Sequence, residues 1–368
     1  MKYKFKDKFI KQYSVFLKSD CFKNTPDYSK SEYWEYHASQ VNIKIEGNTI
    51  HASGKSGFYV STNKGIYETF KKILLTLKNP LKITSLLKRV IGISPIMPGI
   101  KLLNIFDAFD KVMKGEIISA PQLSPNRINF STMIAGEIFC TSAKCAKLNY
   151  SKIASGNSIS DHMMMAYYYL NILKQYTDIN KKKNAVILEI GGGNGNLMSL
   201  IKRNIQGATF IDVDLPETIS HAILFLKSQF PNAKILMPNE VHGASVQFCE
   251  YDFVFLTPSQ IHLIPDSIVD ISINNHSFQE MTYQMIDEYF HLIQRAGKNK
   301  SYFFTANRVE KIPTGPCLIR ENIQDRLPIR FSEYPWNGSN ELIIYEICRL
   351  LRLVQLDSIF NRLERIIK

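Results

Sequence analysis

The chain has 368 residues, 45% hydrophobic and 21% charged, a balance that excludes a disordered or fibrous polypeptide and leaves room for two domains. Forty-five Lys and Arg against 33 Asp and Glu give a formal charge of +12, which favours an acidic neighbour such as a phosphorylated or nucleotide-linked substrate, a membrane surface or nucleic acid. A lysine-rich solubility bias accounts for the same charge equally well. No run approaches about 20 uninterrupted apolar residues, the start Met1-Lys-Tyr-Lys-Phe-Lys-Asp-Lys8 lacks the apolar core of a secretion signal, and the six cysteines contain no Cys-x-x-Cys pair. The expectation is a soluble, cytoplasmic chain with reduced thiols and neither a disulfide framework nor a zinc site.

Residues 1–155 read as a mostly helical N-terminal region, with acceptor binding, a lid or oligomerisation as its candidate roles. Residues 41–53 alternate apolar and polar around Gly47-Asn48, the chemistry of a turn between two short strands. Phe70, Ile73, Leu74, Leu77 and Leu81 recur at helical spacing, interrupted at Asn79-Pro80. Lys71, Lys72, Lys78, Lys82, Lys88 and Arg89 make that segment basic, as a solvated helix face or an anionic membrane or glycan contact would be. Pro95, Pro98, Pro121 and Pro125 punctuate the connections around a helix over 101–114. A further helix includes residues 163–174, where the methionines and tyrosines read as packing.

Residues 156–368 form the second region. Ala185-Val-Ile-Leu-Glu-Ile190 is a continuous apolar run, as expected of a parallel strand buried on both faces. A helix from Asn196, a strand over 208–214 and a helix over 216–230 follow, with Pro216 in a tolerated first-turn position and Glu217 complementing the helix dipole. Further strands are expected at 234–237, 253–256, 269–273 and 302–305, with a helix over 283–295. Such alternation predicts a doubly wound α/β sheet of Rossmann-like type. After Glu341 the opening residues 342–348 suit a last strand, followed by a basic amphipathic helix carrying Arg349, Arg352, Arg362 and Arg365.

The chemistry concentrates at Glu189-Ile-Gly-Gly-Gly-Asn-Gly195, which follows a strand and opens a helix. Gly191, Gly193 and Gly195 let a ligand approach the backbone without an intervening side chain. A nicotinamide-dinucleotide fingerprint needs its third glycine at position 196, which is Asn196. Asp214 ends the next strand about twenty residues on, where a carboxylate accepts both hydrogen bonds of a ribose diol. Asp212 shares that strand face by alternation and is the runner-up, and capping of the following helix is the competing role for Asp214.

The glycine pattern resembles motif I of class I S-adenosylmethionine-dependent methyltransferases, which makes Glu189 the acid near the methionine moiety of the donor. Asp214-Leu-Pro-Glu217 resembles the Asp-Leu-Pro segment of small-molecule O-methyltransferases, and residues 269–281, ending His276-Ser-Phe-Gln-Glu-Met281, resemble the fourth-strand region of bacterial sugar O-methyltransferases. The resemblance runs from about Ser160 to Val309. It implies S-adenosyl-L-methionine as cofactor, Asp214 on the ribose, Asp252 and Phe253 beside the adenine, and hence 253–256 as the third strand. It also implies His276 as the base that removes the proton of an acceptor hydroxyl, with Glu280 orienting the imidazole or acting itself. His162 and His262 are further candidates without a distinguishing pattern, and no diagnostic metal cluster is present.

The acceptor is read by loops and by the unmatched N-terminal region. Tyr33, Trp34 and Tyr36, or Tyr334 and Trp336, suit stacking on a sugar face. The expected partner is a sugar or glycan-precursor acceptor, with peripheral contact to an anionic membrane and a homo-oligomer as further options and no specific nucleic acid. RNA or protein methylation, for which the Asn/Asp-Pro-Pro-aromatic amine motif is missing, and a non-catalytic donor-binding scaffold are the alternatives.

Overall fold

The N-terminal residues supply β1 (Lys2–Lys4), α1 (Asp7–Lys18), the short α2 (Asp20–Lys23), and a hairpin of β2 (Asn42–Glu46) and β3 (Thr49–Ser53) turning at Gly47 with φ +55°. The structure is a computed structural model that describes residues 1–23, 34–35, 38–53, 111, 114–118, 120, 161–242, 247–281, 283–308, 339–352 and 355–368. The basic segment over 67–90, most of the helix over 101–114, the aromatics Tyr33, Tyr36, Tyr334 and Trp336, and the side chain of His162 lie outside the described residues.

Phe9, Ile10, Tyr13 and Phe16 repeat at the spacing of one helix face and are buried along α1. That face packs into the same apolar core as the C-terminal region. The Tyr13 hydroxyl donates to the Ser220 carbonyl at 3.0 Å, and Gln12 reaches both Glu240 and the Ile235 carbonyl.

Next comes α3 (Asp161–Tyr176), then β4 (Val186–Ile190), α4 (Asn196–Asn204), β5 (Thr209–Val213), α5 (Pro216–Gln229), β6 (Ile235–Leu236), β7 (Phe253–Leu256), β8 (Val269–Asn275), α6 (Tyr283–Ala296), β9 (Gly297–Arg308), β10 (Glu341–Arg352) and β11 (Gln355–Arg365). The strands form one eight-stranded sheet in the order β6-β7-β5-β4-β8-β9-β11-β10. Pairing is parallel from β6 to β9 and antiparallel at β11 and β10. This is a Rossmann-like α/β fold, with α4 and α5 packed on one face and α6 on the other. From β4 the chain winds outward through β5 to the β6 edge, then returns to β8 on the other side of β4. That reversal opens a crevice beyond the carboxyl ends of β4 and β8, where such sheets bind ligands.

The strand over 253–256 pairs directly with β5, as expected of the third strand. The C-terminal helix is not formed: β11 occupies its place, between β9 and β10. An interior strand covered on both faces buries residues of both alternation sets. Phe360 and Leu363 accordingly sit in the cores on opposite sides of the sheet, and that two-sided pattern imitates a helical stripe. Glu364 is buried there as well, held by Arg362 and Asn340.

Candidate active site

The crevice at the switch point is lined by Gly191, Gly193, Asp214, Leu215 and Pro258 on one side and by Asn275, His276, Ser277, Glu280, Met281, Met285 and Tyr289 on the other, with Val213 and Trp34 completing it. Of the residues expected from the sequence, Gly191, Gly193, Asp214, His276 and Glu280 therefore share one pocket. Trp34 brings the N-terminal region to the same wall.

The glycine loop is bent by three left-handed residues, Gly191 at φ +72°, Gly193 at +61° and Gly195 at +81°. Its amides are directed at acids: Gly192 N–H donates to Asp212 Oδ1 at 3.2 Å, and Gly193 N–H to Asp214 Oδ2 at 2.8 Å. Asp214 Oδ1 accepts from the Leu215 amide at 2.7 Å, and Leu215, not Asp214, is the N-cap of α5. Asp214 thus braces the loop, and its carboxylate keeps further lone pairs for a diol. A Cβ on Gly191 would lie 2.2 Å from Ser277 Oγ, and one on Gly192 2.5 Å from Asp212 Oδ1. Gly191 is needed to let β8's end close onto the loop, Gly192 to seat Asp212.

Glu189 and Asp212 face each other in register across β4 and β5 and are both buried. Among the described residues Glu189 Oε2 and Asp212 Oδ2 have no hydrogen-bond partner. Burial, then the charge of Asp214, pushes the Glu189 carboxyl up to about 8. Burial also raises Asp212, with Asp214 and Glu189 adding to the rise. Asp214 is pushed up to about 7 by burial, against the Leu215 and Gly193 amides that lower it, and its opening onto the pocket softens that effect.

The opposite wall rests on a buried polar network. Ser277 Oγ donates to the Ile190 carbonyl at 3.0 Å, Asn274 Nδ2 donates to the same carbonyl at 3.0 Å, and Asn307 Nδ2 donates to Asn274 Oδ1 at 2.8 Å. These bonds tie β8 and β9 to the end of β4 and hold the turn carrying His276. His276 is itself left-handed at φ +60°, a conformation costly for a residue with a Cβ and concentrated at functional positions. Its amide donates to the Ala306 carbonyl at 2.8 Å, and its Nε2 lies 2.9 Å from the Tyr169 hydroxyl. Tyr169, buried on α3 against Phe304, packs as its sequence context predicts and also contacts the candidate base.

Asp252 and Phe253 do not reach the pocket. They stand at the amino end of β7, away from the crevice, whereas the carboxyl end of that strand delivers Pro258 to it. Asp252 accepts from Lys202 Nζ at 2.6 Å and from the Lys234 amide at 2.8 Å, and Phe253 is fully buried against Phe210 and Phe230. Both are structural, which corrects the expectation of adenine contact. Gly195 faces Leu226 of α5 and serves helix packing. The sequence reading missed Ser277, Asn274 and Asn275. The signal available was the polar run Asn274-Asn275-His276-Ser277 at the carboxyl end of an otherwise buried parallel strand, the end at which ligands bind. Both side-chain amide atoms of Asn275 are shielded from solvent and have no hydrogen-bond partner among the described residues.

Among the described residues no group of three or more His, Cys, Asp or Glu is arranged to hold a metal, and no helix is long and apolar enough to cross a membrane. No protein-family model and no curated protein matches the sequence. Solved structures do. Similar ones include a SAM-dependent methyltransferase from Aquifex aeolicus, 13% identical over 54% of this chain and 89% of that one, with a TM-score of 0.33. Phosphoethanolamine N-methyltransferase 2 of Haemonchus contortus, in complex with S-adenosyl-L-methionine, is 13% identical over 55% of this chain and 52% of that one, TM-score 0.35. An arsenic(III) S-adenosylmethionine methyltransferase from Chlamydomonas reinhardtii is 9% identical over 50% and 64%, TM-score 0.33.

Proposed function

We propose that this chain transfers a methyl group from S-adenosyl-L-methionine to a hydroxyl of a sugar on a glycan precursor or nucleotide-linked acceptor. The observation that carries the reading is one pocket in which the glycine loop and Asp214 face His276 and Glu280. The residues fit this donor: the loop leaves no side chain between backbone and ligand, Asp214 has lone pairs for a ribose diol, and the orphaned oxygens of Glu189 and Asp212 suit a ligand bearing positive charge.

When bound, the donor supplies an electrophilic methyl on a sulfonium, so the protein has to align an acceptor and take up its proton. His276, a residue that is neutral and basic near pH 7 in its ordinary state, accepts the hydroxyl proton. Glu280 lies in the same pocket, to orient the imidazole or receive that proton itself. Trp34 offers an aromatic face beside it, a surface on which a sugar ring stacks. The positive charge of the chain favours an acceptor carrying phosphate.

The test is a titration of the purified protein with S-adenosyl-L-methionine, followed by turnover on a panel of nucleotide sugars and on RNA. Donor binding with transfer to a nucleotide sugar is expected, and His276→Ala abolishes turnover while donor affinity persists. Failure to bind the donor sinks the reading, and transfer to RNA alone replaces the acceptor.

A further inference from the structure

Elsewhere among the described residues of this sheet the buried carboxylates Asp270 and Glu364, and the part-exposed Asp252, are each matched by a cation. Asp270, at the amino end of β8, is bridged by Lys182 at 3.0 Å and Lys298 at 2.8 Å, and Asp252 by Lys202 at 2.6 Å. Glu364 has Arg362. Glu189, Asp212 and Asp214 break this rule: they crowd one face at the carboxyl ends of β4 and β5, where Asp214 lines the pocket and Glu189 and Asp212 are buried next to it, and among the described residues none of them has a cationic side chain paired to it. Two of their oxygens, on side chains more than nine-tenths buried, have no hydrogen-bond partner among the described residues.

We infer that these three carboxylates form a charge sensor, in which seating a cationic donor expels a proton and so favours the sulfonium donor over its neutral thioether product. The inference rests on the methyl-donor reading of the pocket. Like charges in a dry site do not all ionise together, so without a cation the cluster keeps protons that an isolated carboxylate loses. Its surroundings reinforce this. Glu217, in the first turn of α5, adds negative charge beside Asp214, and the other titratable groups lining the pocket, His276, Glu280 and Tyr289, stand on the opposite wall.

A ligand bearing positive charge stabilises the ionised carboxylates. On binding, the O–H bond of a carboxyl breaks, the electron pair stays on the carboxylate oxygen, and the proton leaves to bulk water. The sulfonium donor carries one positive charge more than the thioether product, so its binding expels more proton. By linkage its affinity rises with pH where the empty cluster is still protonated, up to about pH 8 as set by Glu189. The cluster thereby supplies selectivity for donor over spent product that increases with pH.

Calorimetric titration of the full chain with S-adenosyl-L-methionine and with S-adenosyl-L-homocysteine, in buffers of contrasting ionisation enthalpy near pH 7, measures the protons directly. The expected result is release of roughly one proton with the sulfonium ligand and distinctly less with the thioether, with an affinity ratio that climbs by up to about tenfold per pH unit below pH 8. Glu189→Gln and Asp212→Asn preserve side-chain shape and are expected to reduce the release while the donor still binds. Tight donor binding without proton release, or equal release for both ligands, overturns the inference and leaves the donor reading standing. Absence of binding by either ligand overturns both.

Discussion

The Tyr169 hydroxyl sits 2.9 Å from His276 Nε2, so a helix that precedes the sheet in sequence holds the imidazole at the sheet's carboxyl end. The contact links two features with separate causes. Tyr169 is fixed by burial against Phe304, and His276 by its left-handed backbone and its amide bond to Ala306. An imidazole anchored through its backbone and at Nε2 keeps one orientation, as the proposed proton acceptor needs.

Tyr169→Phe removes only the hydroxyl and keeps the packing. Turnover is expected to fall by about tenfold or more, the effect typical of losing a group that orients a functional histidine. The acidic limb of the pH–rate profile should move while the donor Kd stays constant. Unchanged kcat and an unchanged profile would reduce Tyr169 to a core residue.

Gly191 meets Ser277 so closely that an alanine there collides with Oγ and also sits at φ +72°. Gly191→Ala should cost about 3 kcal/mol, roughly 1 from the backbone and 2 from the overlap. In the double variant with Ser277→Gly the overlap disappears, and denaturant unfolding should show partial recovery despite loss of the bond to Ile190. Strictly additive destabilisation would contradict the close approach.

Where the sequence was legible, one physical signal dominated locally. The continuous apolar run at Val186–Ile190, the glycines after it and Asp214 at the next strand end predict the central strands and the pocket wall that follows them. Legibility failed where a pattern had two physical causes. Phe360, Leu363 and Ile366 repeat at helical spacing because β11 is covered on both faces. Asp252 precedes a correctly expected strand, but a strand has two ends, and only its direction in the sheet tells which one faces the crevice. Tyr169 carries no local mark distinguishing it from Tyr167 and Tyr168, all of them buried, because its contact with His276 spans 107 positions.

Asp252 serves the amino end of β7 and not the pocket. Its carboxyl is about a third exposed and is held below the usual carboxylate range by Lys202 and the Lys234 amide, which outweigh desolvation. Asp252→Ala is therefore expected to cost about 1 kcal/mol after solvent screening, with donor affinity unaltered. A depressed folded-state value means that this stability is present above the unfolded value and lost as pH falls through the folded one. A large loss of donor affinity with normal stability would return Asp252 to the site.

Glu189 and Asp212 run the opposite way, and their sign governs the pH dependence of the empty protein. Both are raised by burial above their unfolded values of about 4, Glu189 to about 8. Between those limits the native state binds protons that the unfolded chain has already lost, so the stability tied to these protons is full below about pH 4 and declines as pH rises towards 8. The melting temperature without donor should therefore fall from about pH 5 to 8, a window above that in which Asp252 and Asp270 lose their contributions. Glu189→Gln, which cannot ionise, should flatten that slope and raise the melting temperature at pH 8, while weakening donor binding because one countercharge is gone. Saturating donor should stabilise the native protein more at pH 8 than at pH 6, since the cation reverses the repulsion that alkaline pH creates. Differential scanning calorimetry across this range, with and without S-adenosyl-L-methionine, measures each slope. A melting temperature that rises with pH and is indifferent to Glu189→Gln would mean that the carboxylates are neutralised by the protein itself.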